Sequence, residues 1–204
     1  MDAALRAGIA IYNAGRQHAA HDAWEDEWLA LEDGSRDERL LHGLIQFTAA
    51  VHHARDRNWT GAAGLAESGG DYLAALPADY RGVNVGDVRA FLAALARDPE
   101  VVERRSPPPL RYDGAALALA DLDAPAAVAA AVVLAEHAGY DEDVFADAAA
   151  YAREALADGE LDEFGVLLCD FVTETDQRAL VATRLRQHVQ RRRQRDSDVA
   201  GLFD

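Results

Sequence analysis

The sequence predicts an all-α protein, and three observations carry that expectation. Alanine is abundant while aromatic residues make up only 7% of the chain, a balance that favours helices over strands. Apolar residues recur at helical spacing, and no alternating apolar–polar pattern persists long enough to propose a sheet. Half of the 204 residues are apolar, which suffices for a sizeable core in one or two domains.

The first helix is expected over about Ala3 to Ala14, with Gly15 closing it. The second runs from about Gln17 to Leu31 and is broken by Asp33-Gly34-Ser35. Ser35 and Glu38 have the spacing of a capping box, so a third helix starts near Arg36 and continues to about Arg57. A fourth occupies about Gly61 to Leu76, weakened by Gly64 and Gly69-Gly70. Pro77 to Val85 reads as a loop and Gly86 to Arg97 as a fifth helix. Helices cannot run through Pro107-Pro108-Pro109, which therefore marks a boundary or an extended strap. Beyond it, helices are expected at about 125–138, 142–157, 161–173 and 176–193. Asp123, Asp141 and Thr175 serve as N-caps there, and Gly139 and Gly159 as helix ends. The expected architecture is a bundle of about five helices at 1–112 with a helical C-terminal extension at 113–204.

There are 36 acidic residues against 20 basic ones, a formal charge of −16, and every basic residue is arginine. Such a chain repels itself in dilute buffer. Molar salt shortens the Debye length to roughly 3 Å and removes the penalty. The acidic, lysine-free composition reads as adaptation to a salt-rich cytoplasm, with halophilic archaea the expected source. No apolar stretch approaches the ~18 residues needed to span a bilayer, and no signal peptide is read at the N-terminus. The single cysteine, Cys169, sits in an apolar run and reads as a small core residue of a reducing compartment. The run Arg191-Arg192-Arg193-Gln194-Arg195 suits a helix C-terminus. With −16 overall and no second basic patch, nucleic-acid binding is not expected.

Five of the seven histidines and all three tryptophans fall within the first 59 residues. His21, Glu25 and Trp28 stand at i, i+4 and i+7, on one stripe of a helix, and His18 extends that stripe by almost a turn. The short link at Asp33 to Ser35 makes the second and third helices an antiparallel hairpin. On the third helix, Arg39, His42, Gln46, Ala49 and His53 form a stripe that is polar where a core-facing one should be apolar. The two stripes are expected to face each other. His21, Glu25 and His53 would then ligate a divalent transition metal (zinc, iron or manganese), with His18, Trp28, His42 and Gln46 in support. A hydrolase-like activity using metal-bound water is one outcome; the small-molecule substrate and the catalytic residues stay open. The alternative is a non-enzymatic assembly module whose polar cluster fixes the hairpin register. Its alanine-rich C-terminal helices would then dock a partner or a second copy of the chain.

The H-x-x-x-E-x-x-W pattern of His21, Glu25 and Trp28 resembles the prokaryotic family called domain of unknown function 309. Tyr12-Asn13-Ala14-Gly15, Gly43-Leu44-Ile45-Gln46, His52-His53 and Gly61-Ala62-Ala63 are similar too, so the resemblance covers about residues 5–75. It implies a small all-α protein with metal binding at the histidine–glutamate motif. Asp22 stands where the family more often has a second glutamate, and its shorter reach argues against it as a ligand. Trp24 and Trp28 read as core anchors. Adjacent helical residues diverge by about 100°, so His52 is expected at the surface and His53 at the site.

Overall fold

The computed structural model describes residues 1–200, with side chains described through residue 198. Residues 201–204 of the expected C-terminal extension lie outside the described residues. The chain divides into two compact units, Met1–Asp121 and Leu122–Asp204. The fold is all-α, as the composition requires.

The first unit holds α1 (Asp2–Asn13), α2 (Gln17–Leu29), α3 (Arg36–Arg55), α4 (Trp59–Leu73) and α5 (Val85–Arg97), each packed on the next in the chain. Caps set the boundaries. The Ser35 hydroxyl accepts the Glu38 N–H at 3.1 Å, and the Asn58 side chain accepts the Gly61 N–H at 3.1 Å. Glu38 does not complete a reciprocal box, because its carboxylate is engaged by Trp28 and His42 instead. The core is built from Leu5, Ile9, Leu40, Leu44, Phe47, Val51, Phe91 and Leu95, all buried. Trp24 joins them with no exposure, its indole N–H donating to the Leu5 carbonyl at 3.3 Å. A Cβ on Gly8 would lie 2.1 Å from that indole nitrogen, so α1 and α2 meet there only because residue 8 is glycine.

The proline segment is an extended strap laid over α1. Tyr12 donates its hydroxyl to the Pro108 carbonyl at 3.1 Å, and burial pushes that hydroxyl's pKa above its ordinary range. Asn13 clamps the strap from both sides, donating to the Leu110 and Leu117 carbonyls and accepting the Leu110 N–H. A two-residue hairpin follows, β1 (Arg111–Tyr112) against β2 (Ala115–Ala116). The sequence predicted no sheet because strands this short show no alternation. The turn residues Asp113 and Gly114, at φ 49° and 81°, were the readable sign.

Tyr80 and Arg81 in the loop before α5 bind Asp37 of α3, each donating at 2.8 Å. The Arg81 bond holds the Asp37 carboxyl below the usual aspartate range. A lowered carboxyl contributes stability that is present above about pH 4 and is lost as pH falls through the depressed value. Asp37→Asn should therefore flatten the acid limb of a pH–stability curve below about pH 4; an unchanged limb in circular dichroism melts would remove the role assigned to this pair.

The second unit is a cluster of α6 (Ala124–His137), α7 (Glu142–Ala157), α8 (Glu163–Thr173) and α9 (Arg178–Ala200). Asp123, Asp141 and Asp162 cap α6, α7 and α8 by accepting the N–H three residues on. Thr175 does not cap α9. It lies in a 3-10 turn, Thr175–Gln177, and α9 starts at Arg178. The buried Arg178 side chain folds back to donate to the Phe171 carbonyl at 2.9 Å, closing the end of α8 instead. Phe145 and Phe171 pack at 4.6 Å near the middle of this unit. Cys169 is half-buried, and burial raises its thiol pKa, as its apolar neighbours led one to expect. No described helix is long and apolar enough to cross a membrane.

Candidate functional site

The α2–α3 hairpin is antiparallel, so the start of α2 meets the end of α3 and the end of α2 meets the start of α3. The residues singled out by sequence consequently divide into two groups. His42 and His53 stand eleven residues apart on α3, roughly 16 Å along the helix axis.

Trp28 and His42 belong to the first group, centred on Glu38. The Trp28 indole N–H donates to Glu38 Oε1 at 2.9 Å, and His42 Nδ1 bonds the same oxygen at 3.1 Å. The His42 ring lies 4.5 Å from Trp28 and stacks at 3.7 Å on Tyr72 of α4. Glu38 is only 7% exposed, so these bonds carry the satisfaction of a buried carboxylate. Trp28 thus works on the hairpin's far end, away from His21.

The second group lines a cleft of about 290 Å³ formed by Gln17, His18, His21, Thr48, Ala49, His52 and His53. Ring centroids are separated by 6.2 Å for His18 and His21, 6.4 Å for His18 and His52, and 6.0 Å for His52 and His53. His52 is exposed, as expected, and its ring also lines the cleft, 3.4 Å from Asp56 one turn on. Asp22 bridges the α2 imidazoles, at 2.8 Å from His21 Nδ1 and 3.2 Å from His18 Nδ1.

His21, Asp22 and Glu25 can each place a ligand atom within 4.8 Å of the other two. His53 is not in that set. Asn58 uses its carbonyl oxygen to cap α4, which turns its amide NH₂ toward His53 Nδ1 at 2.7 Å. The Nδ1 lone pair is thereby taken, and a neutral His53 keeps its proton on Nε2. Gln46 lies against α4, where a Cβ on Gly69 would sit 3.1 Å from its own. The polar stripe of α3 runs over the seam between α2 and α4 and not on α2 alone, which is why one stripe serves two groups. Asp22 and Glu38 carry much of this geometry. Their sequence signals were Asp22 one turn after His18 and Glu38 one turn before His42.

The fold and the site together define an all-α protein whose second and third helices hold a histidine–carboxylate set beside a four-imidazole cleft. Residues 5–65 match the model of a family described as "Domain of unknown function (DUF309)". That stretch contains most of α1, all of α2 and α3 and the start of α4, hence Trp28, Glu38 and His42 and the four cleft histidines, but not Tyr72. The chain is also similar to an uncharacterized protein of Aquifex aeolicus (strain VF5), 28% identical over 102 residues. The match takes in 50% of this chain and 29% of that relative, so the chain spans under a third of the relative's length.

Proposed function

We propose that α2 binds a divalent transition metal through His21 and Glu25 with Asp22 as third donor, beside the cleft lined by His18, His52 and His53. The short side chain that argued against Asp22 still places an oxygen within 4.8 Å of the other two. The observation that carries this reading is the convergence of those three donors within 4.8 Å. One imidazole with two carboxylates suits zinc, iron or manganese. A metal so placed would supply Lewis-acid chemistry, which makes a hydrolase-like activity on a small molecule the favoured reaction class. His21 belongs both to the donor set and to the cleft wall, so a ligand entering the cleft would meet the site directly. The assembly-module alternative is favoured only at Trp28, Glu38 and His42, where the polar groups are mutually bonded and serve packing.

Cobalt(II) titration followed by visible spectroscopy tests the assignment. The native chain should develop the ligand-field bands of a bound ion and saturate at one equivalent. Glu25→Gln should weaken binding by at least tenfold, and His53→Ala should change it little. Saturation that depends on His53 and not on Glu25 would move the metal to the cleft and overturn this donor set.

A further inference from the structure

The second unit carries a cleft of about 460 Å³ between the start of α8 and α9, lined by Glu163, His188, Arg191, Gln194 and Arg195. His188, Arg191 and Arg195 stand at i, i+3 and i+7 and so share one stripe of α9. A run of arginines suits a helix C-terminus, but α9 continues to Ala200 and its last turn holds no basic residue. The helix dipole, felt only within the last turn, therefore does not account for the run. Packing accounts for part of it. Arg193 donates to Asp147 of α7 at 2.5 Å, and Arg192 bonds Asp196 and lies 5.1 Å from the centre of the Tyr151 ring. Arg191 and Arg195 line the cleft instead, and among the described residues neither forms an ion pair with a carboxylate. The chain as a whole has 36 acidic residues to 20 basic ones. This cleft reverses the balance, with two guanidiniums to one carboxylate, and that carboxylate is bonded to His188 at 3.1 Å.

From this we infer that the cleft binds a small ligand carrying one or two phosphate groups. Guanidinium forks match phosphate oxygens bidentately, and Arg191 and Arg195, one turn apart, bring two forks to one place. The Gln194 amide adds a neutral donor. Glu163 is the first residue of α8, so the positive end of that helix lies beside the same cleft. The local field has the required sign. The His188 hydrogen bond, with attraction from Arg195 and Arg191, holds the Glu163 carboxyl below the usual glutamate range. Size favours a small ligand over a nucleic acid. A volume of 460 Å³ falls within the roughly 300–1,000 Å³ of small-molecule pockets. A protein that grips duplex DNA contacts about 6–10 phosphates. This stripe, extended back to Arg184, holds only Arg184, His188, Arg191 and Arg195, on a chain whose charge of −16 repels a polyanion. The inference stands independently of the metal reading.

Isothermal titration calorimetry of the full chain with inorganic diphosphate tests it, in the lowest potassium chloride that keeps the helical circular dichroism intact. Saturable 1:1 binding is expected. Arg191→Lys combined with Arg195→Lys keeps both charges and removes both forks, and should weaken binding at least tenfold. Both residues are exposed, so this loss cannot be ascribed to unfolding. Arg186→Gln, on another face of α9, and His21→Ala should leave binding unchanged. No saturable heat, full-strength binding by the double lysine variant, or an equal loss in Arg186→Gln would each overturn the inference. Loss in His21→Ala would place the diphosphate on α2, and single-stranded RNA binding at least tenfold more tightly than diphosphate would make the stripe a polyanion surface; either result overturns it as well.

Discussion

Trp24→Ala should lower the stability of the first unit by about 3–5 kcal/mol, the range for emptying a buried indole site. The side chain has no exposure, packs against Gly8 of α1 and satisfies the Leu5 carbonyl. Collapse cannot refill the space, because α1 and α2 already approach as closely as a glycine permits. At roughly 4 °C per kcal/mol for a unit of this size, the melting temperature should fall by more than 10 °C. A fall of only a few degrees, measured by differential scanning calorimetry in high salt, would show that Trp24 is not the anchor of the α1–α2 interface.

Glu38→Ala should be nearly as damaging, at about 3 kcal/mol, because it strands two donors and not one. The Trp28 indole N–H and the His42 imidazole both bond the lost oxygen. Glu38→Gln keeps an acceptor there and should cost about 1 kcal/mol. The contrast between the two variants is the informative quantity. Equal losses would mean that the Glu38 side chain acts by filling space, and that Trp28 and His42 find other partners.

Most of the helical architecture was readable from the sequence because its local signals agree. Ser35, Asp123 and Asp141 cap where their spacing says they should, and Gly139 and Gly159 end helices with positive φ. The exceptions are decided by tertiary contacts. Arg178 displaces Thr175 as the start of α9 because it turns back onto α8. The short hairpin at 111–116 offers a turn signal without strand periodicity.

The candidate site was legible as a set of residues and less so as an arrangement. Periodicity placed His21, Glu25 and Trp28 on one stripe, which holds. It could not reveal that Trp28 reaches forward to Glu38 while His21 reaches sideways to Asp22. Nor could it show that Asn58, fixed by its capping duty, occupies His53. Those outcomes depend on which of several nearby hydrogen-bonding partners wins, a competition settled by packing across α2, α3 and α4.

The most direct measurement is elemental analysis of the native chain purified without chelator in high salt, beside His21→Ala prepared in parallel. A single transition metal near one equivalent in the native protein is expected. Its loss in the variant should leave the helical circular dichroism mostly intact. Metal-free native protein that also fails to take up added zinc, iron or manganese would contradict the account, as would a variant that retains its metal in full.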